Sequence, residues 1–305
     1  MARIIKHKKN DELKLLLEKI NSFFDYECNA YMGIGGIGDL LLVLALCYDQ
    51  KNPKILFLAN DPDNKLTLDL LKFFNVEFLI HRNLFDSSWI NFVYNHFKNL
   101  PCYRSSAHTP DNLRYDDWVN IEKYIPRIKT NTNWDKLINT KRWFKEKYVV
   151  ICPSGSTKAT NKKRYLSHEE YKTIMLKFLQ YNYKVITTSH ESDISLYGLF
   201  PNKNCMWMTN EKIIQYNGLE NNININDFLQ IIYNSDDCIS MDTYLKTLIL
   251  LLNKEVKVIQ TKYDGEYNNH FIDPSDKIFL NQDIWPKLKI YKHEDLLSEL
   301  DNCLK

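Results

Sequence analysis

From Asn29 onward, short apolar runs alternate with segments of helical periodicity, and this alternation restricts the fold more than any other feature of the chain. AYMGI reads as a strand, Asp39 to Tyr48 as a helix, KILFLA as a strand, Lys65 to Phe74 as a helix, VEFLI as a strand and Ser88 to Phe97 as a helix. Strands joined through helices run parallel, because a helical crossover returns the chain to the same end of the sheet. The rhythm breaks between Pro101 and Trp143, a stretch rich in Asn, Thr, Asp, aromatic and basic residues and punctuated by Pro101, Pro110 and Pro126. It reads as irregular loops leading into a linker.

Alternation resumes at Tyr148. YVVICPS reads as a strand, Ser167 to Gln180 as a helix opened by a serine cap, KVITTS as a strand, and NCMWMT and KIIQYN as shorter strands. Asn226 to Tyr233 follows as a helix, DDCISM as a strand, Asp242 to Leu252 as a helix, VKVIQT as a strand and Glu294 to Leu304 as a closing helix. The expected class is α/β: two facing Rossmann-like domains with parallel sheets, over residues 1–143 and 144–305. A chain of 305 residues with 44% hydrophobic content supplies two cores.

Before the first strand, Leu13, Leu16, Leu17, Ile20 and Phe24 fall near one face of a helix capped at Asn10 or Asp11. Packing on the first domain is preferred to membrane docking for this face. The longest apolar runs, Leu40 to Cys47 and Leu248 to Leu252, are too short to span a bilayer, and the basic start lacks the apolar stretch of a secretory signal. Seven cysteines lie far apart without the spacing of a metal or redox motif. A cytoplasmic protein is expected, with peripheral attachment to the membrane surface as an alternative. The balance of 40 Lys and Arg against 38 Asp and Glu, a net +2, leaves no global field for polyanions, so any anion site is local.

Three segments carry chemistry. Gly33-Ile34-Gly35-Gly36-Ile37-Gly38-Asp39 follows a strand and opens an apolar helix. Its glycines, Gly35, Gly36 and Gly38 among them, permit a tight turn and close approach of another molecule to a helix N-terminus. Asp39 is a candidate base there, although a plain helix cap explains it as well. Pro153 to Arg164 follows the strand that opens the second domain; Ser154, Gly155, Ser156 and Thr157 offer N–H and hydroxyl donors, and Lys158, Lys162, Lys163 and Arg164 can neutralise a diphosphate. Asp242 and Thr243 open a helix after the DDCISM strand, with Tyr244 beside them. All three segments fall at C-terminal strand ends, where open α/β sheets bind ligands. His190, Glu191 and Asp193 follow KVITTS, where a carboxylate can meet a ribose, with a plain polar loop end as the alternative, and Tyr103, Arg104, His108, Arg114, Tyr115 and Trp118 mix aromatics with cations suited to an acceptor.

On these residues the chain resembles the heptosyltransferase-type glycosyltransferases of the GT-B fold, from about Met32 to Asp264. The family's Gly-Asp pair is matched by Gly38-Asp39, its Pro-small-small loop by Pro153 to Ser156, its Lys-x-aromatic by Lys163-Arg164-Tyr165, and its Asp-Thr-Gly-Leu-x-His by Asp242-Thr243-Tyr244-Leu245-Lys246-Thr247. The resemblance implies that Asp39 is the general base, that Lys163 contacts donor phosphates, that Asp242 and Thr243 lie near the sugar, and that no metal takes part. Tyr244 and Thr247 depart from the family's Gly and His, which implies a reshaped sugar pocket. The expected function is metal-independent inverting transfer from a nucleotide-sugar, the co-substrate, to a hydroxyl of a glycan or lipid-linked glycan, with no separate cofactor. Two alternatives stand beside it: a phage-type enzyme that glycosylates a hydroxymethylated base in DNA, and a noncatalytic sugar-nucleotide or glycan-binding module.

Overall fold

In the computed structural model the chain divides into two compact units, Met1–Asn131 and Thr132–Lys305. The structure describes residues 2–47, 50–83, 87–106, 134–138, 141–155, 165–189, 193–241, 243–260, 262–263, 266–267, 282 and 285–304, without the side-chain surroundings of residues 2–10, 87, 105, 106, 135, 137, 262, 263, 266 and 267.

Among the described residues the first unit holds four parallel strands, β1 (Asn29–Gly35), β2 (Pro53–Ala59), β3 (Glu77–Arg82) and β4 (Tyr103–Ser106), in the order β3-β2-β1-β4. Helices α2 (Ile37–Cys47), α3 (Lys65–Phe73) and α4 (Ser87–Lys98) connect them, preceded by α1 (Ala2–Phe23). Every residue of α2 from Leu40 to Cys47 is buried, as expected of a helix apolar on all sides. Each fully buried leucine there contributes about 2 kcal/mol. α1 begins well before Asn10 and Asp11, so neither caps it. Its Leu16 and Ile20 are buried with Trp89, Val93 and Phe97, and Leu13 and Leu17 border the same cluster, so this face packs on the first unit. The strand β4 was not foreseen, because Tyr-Arg-Ser-Ser offers no apolar run; it is an edge strand whose pairing with β1 shifts register after Ala30.

Among the described residues the second unit holds an eight-stranded sheet. Its elements are β5 (Tyr148–Cys152), α5 (His168–Gln180), β6 (Lys184–Thr188), α6 (Ile194–Tyr197), β7 (Cys205–Met208), β8 (Lys212–Gln215), β9 (Glu220–Asn222), α7 (Ile225–Tyr233), β10 (Asp237–Ser240), α8 (Tyr244–Leu251) and β11 (Val256–Ile259). A small antiparallel pair, β12 (Lys262–Tyr263) and β13 (Glu266–Tyr267), precedes β14 (Leu288–Tyr291) and α9 (His293–Cys303). The order is β14-β11-β10-β5-β6-β7-β8-β9. The parallel sheets expected from the sequence are present, and the second one adds an antiparallel edge, where β7-β8 and β8-β9 are antiparallel. Only residues 209–211 separate β7 from β8, too few for a crossover, and Gly218 with φ 80° serves the turn between β8 and β9.

Residues 134–143, read in sequence as the end of a linker, fall within the second unit. The Arg142 guanidinium pairs with Asp236 and lies over the Tyr148 ring at 5.3 Å, and the Asp236 carboxylate also accepts the Tyr148 N–H at 2.9 Å. These ties join the segment to the start of β5.

Candidate functional site

In the first unit the site is built on the turn from β1 into α2. Gly35 has φ 128°, which L side chains rarely adopt. A Cβ there would lie 2.3 Å from Oδ2 of Asp39, so glycine is what permits the carboxylate to fold back across the turn. Asp39 lies in the first turn of α2 and its Oδ2 accepts the Gly36 N–H at 2.8 Å. That bond satisfies one of the free donors at the helix start and puts the negative charge where the helix dipole favours it. The capping role is therefore realised, and the same geometry fixes the carboxylate at the C-terminal edge of the sheet. Gly36 has open space where a Cβ would stand, whereas a Cβ on Gly33 would meet Val43 at 2.7 Å and Phe57 at 2.8 Å. Gly33 thus serves packing, and Gly38 lies inside the first turn of α2.

Beside this turn stand two residues that the sequence reading passed over. Asn60 N–H donates to the Gly35 carbonyl at 2.9 Å, Asn83 N–H to the Ala59 carbonyl at 2.7 Å, and the Asn83 amide to Oδ1 of Asn60 at 3.3 Å. Their only sequence signal was an asparagine directly after a strand, apolar before Asn60 and ending in His81-Arg82 before Asn83. Arg104 is not brought to this edge. It lies near the start of β4, and its Nε donates to Oδ1 of Asn29, the first residue of β1, at 2.6 Å. His108, Arg114, Tyr115 and Trp118 lie outside the described residues.

In the second unit the switch point lies between β5 and β10, where successive crossovers leave in opposite directions. Met241 N–H donates to the Cys152 carbonyl at 3.0 Å across it, and the Cys152 thiol lies 3.6 Å from the Thr243 hydroxyl. Burial pushes the Cys152 pKa up to about 11, so the group stays a thiol. Thr243 is the N-cap of α8, accepting the Leu245 N–H at 3.1 Å with Ser240 Oγ 3.2 Å away. Burial likewise pushes the Tyr244 phenol above its ordinary range. Lys246 and Thr247 are buried in α8. Ser154, at the end of β5, bonds through its hydroxyl to Ser189 and Asp193 beyond β6. Asp193 is thereby engaged within the protein, a role its place in a polar loop did not reveal. Gly155 is described; Ser156, Thr157, Lys158, Lys162, Lys163, Arg164, Glu191 and Asp242 lie outside the described residues.

Among the described residues no group of three or more His, Cys, Asp or Glu is placed to hold a metal ion. One Asp-x-Asp pair is present at Asp61-Pro62-Asp63. It forms a turn before α3, with Oδ1 of Asp61 accepting the Asp63 N–H at 3.3 Å. No described helix is long and apolar enough to cross a membrane.

Two Rossmann-like units in one chain, each with small-residue turns at its C-terminal strand ends, define an α/β protein of the GT-B type. The comparison with solved structures agrees: the chain is similar to E. coli ADP-heptose LPS heptosyltransferase II, with TM-score 0.51 and 11% identity over 90% of this chain and 98% of that one. Matches of TM-score 0.49 and 9% identity are found with E. coli heptosyltransferase WaaC, over 90% of this chain and 98% of that one, and with a glycosyl transferase of family 9 from Veillonella parvula, over 92% and 98%. At such identities the likeness is one of fold. No family model and no curated protein matches the sequence.

Proposed function

We propose that the chain is an inverting, metal-independent glycosyltransferase that moves a sugar from a nucleotide-sugar to a hydroxyl of a glycan or lipid-linked glycan. The observation that carries this reading is Asp39, a carboxylate held on a glycine turn at the C-terminal edge of β1. Asp39 takes the proton of the acceptor hydroxyl as its oxygen attacks the anomeric carbon, and the bond from that carbon to the diphosphate breaks. The second unit holds the donor: Ser154, Gly155, Ser156, Thr157, Lys158, Lys163 and Arg164 neutralise the leaving diphosphate, with Glu191 on the ribose and Asp242, Thr243 and Tyr244 near the sugar. The similar structures include E. coli heptosyltransferase WaaC with ADP-2-deoxy-2-fluoro heptose; for this chain heptose is one candidate sugar, and Tyr244 argues for a different pocket.

Thermal-shift titration with UDP-, ADP-, GDP-, CMP- and dTDP-sugars tests the reading, since a ligand of the native state raises the melting temperature. One donor class should stabilise the protein; no shift with any of them overturns the donor assignment. Lys163→Ala should weaken the stabilising donor by about 2 kcal/mol, the scale of one charge-assisted contact. If neither that variant nor Arg164→Ala changes donor affinity, the basic segment does not bind phosphate. Turnover should also survive EDTA, because cations and helix N-termini supply the compensating charge. Loss on chelation with recovery in Mg²⁺ or Mn²⁺ would contradict the metal-free mechanism and direct attention to Asp61 and Asp63.

A further inference from the structure

Three strand ends stand in register at the C-terminal edge of the first unit: Gly35 of β1 pairs with Ala59 of β2, and Ala59 with Arg82 of β3. The ladder runs one residue beyond them, through the Asn60 N–H on the Gly35 carbonyl and the Asn83 N–H on the Ala59 carbonyl. These backbone bonds already fix both turns. The bond between the two side chains, from Asn83 Nδ2 to Asn60 Oδ1 at 3.3 Å, is additional to them.

The two asparagines differ in their surroundings. Asn83 is only 6% exposed, and an amide so buried costs free energy unless it is hydrogen-bonded. A small apolar residue would fill that place without the cost; asparagine there supplies a donor to Asn60. Asn60 itself is exposed, and among the described residues nothing accepts from its amide nitrogen. Held by its oxygen, the Asn60 amide has its N–H donors left for another molecule.

The base of the proposed reaction lies beside this amide. Asn60 bonds to the Gly35 carbonyl, and the Asp39 carboxylate folds over the same glycine, with Oδ2 2.3 Å from where a Cβ would stand. Neighbouring strands are about 4.8 Å apart, so a group at the end of β2 stands roughly one strand spacing from a group at the end of β1. Two adjacent ring hydroxyls, each adding a hydrogen bond of about 2.8 Å, can bridge that gap. The reacting hydroxyl gives its proton to Asp39 and attacks through a lone pair, and a donor on that same oxygen would hold electron density back. The productive partner of the amide is therefore a second oxygen.

We propose that Asn60 is a specificity-determining residue for the acceptor: its amide donates to the hydroxyl beside the one that Asp39 deprotonates. Asn83 is a positioning residue that holds the amide by its oxygen. The acceptor so recognised is a sugar ring with two adjacent hydroxyls, not an isolated hydroxymethyl group. The inference rests on the reading of Asp39 above.

The test uses the full chain, the nucleotide-sugar that the thermal-shift titration selects, and methyl hexopyranosides with their monodeoxy forms as acceptors, with products identified by mass spectrometry. Removing the hydroxyl next to the reacting one should raise KM about fivefold, the worth of one hydrogen bond. Asn60→Ala, at an exposed position, should raise KM for the intact glycoside by the same factor, with kcat changed less. The two removals should not multiply, because they delete the two ends of one contact. Asn83→Ala should raise KM in the same direction; should it fail to fold, Asn60→Ala decides. An unchanged KM in Asn60→Ala, or losses that multiply, overturns the proposal and leaves the two asparagines as ties between turns. Transfer to none of the glycosides, or only to DNA carrying hydroxymethylated bases, overturns the sugar acceptor while the donor reading stands. If no nucleotide-sugar stabilises the wild-type chain, the donor reading itself falls and takes this inference with it.

Discussion

Asp39→Asn should lower turnover on the order of 10²-fold to 10⁴-fold, the usual worth of a positioned general base, while folding and donor affinity stay nearly unchanged. Asparagine keeps an oxygen able to accept the Gly36 N–H, so the 2.8 Å bond that ties the side chain to the turn can persist. What it removes is the proton-accepting carboxylate. The capping role alone predicts a different profile, a stability change of about 1 kcal/mol or less with catalysis barely affected. Melting temperature, donor affinity and kcat measured on this variant separate the two, and near-normal turnover would sink the catalytic assignment.

Gly35→Ala should be nearly as damaging, for a reason that involves only one neighbour. All three atoms nearest to a Cβ at this position belong to Asp39, at 2.3, 2.9 and 3.6 Å. A methyl group there displaces the carboxylate, and the residue also carries a left-handed φ that costs about 1–3 kcal/mol without glycine. Turnover should fall by on the order of 10²-fold or more, together with a measurable loss of stability in urea. Gly36→Ala is the control for stability: no protein atom lies within 4 Å of its Cβ and its φ is not positive, so its stability should stay close to wild type. Retention of turnover by Gly35→Ala would show that the orientation of Asp39 does not matter.

These two variants also mark how far the sequence can be read. Four glycines between Gly33 and Gly38 look equivalent on the page, yet Gly33 makes room for Val43 and Phe57, Gly35 for a carboxylate, and Gly36 for nothing in the protein. Such differences depend on which distant side chains fold over the turn, and no local pattern encodes them. The alternation of strands and helices was legible because apolar runs repeat at a spacing set by burial. β4, β9 and β14 were not foreseen, since Tyr-Arg-Ser-Ser and Glu-Asn-Asn lack apolar runs and Leu-Lys-Ile-Tyr is too short to stand out. The hydrogen bonds from the Tyr197 hydroxyl to the Pro153 and Leu166 carbonyls span 44 and 31 residues of chain. A tyrosine in a short polar stretch gives no hint of partners so far away.

The antiparallel edge of the second unit bears on how copies of the protein coexist at high concentration. A parallel sheet that stopped at β7 would present Cys-Met-Trp-Met, apolar and well suited to pairing with a strand from another molecule. Instead the chain folds back twice and finishes in three exposed polar residues, Glu220 to Asn222, with Glu220 tied to Lys212 at 3.0 Å. So short and hydrophilic a border is a poor template for an incoming strand, and the hairpin thereby shields β7 from edge-to-edge polymerisation.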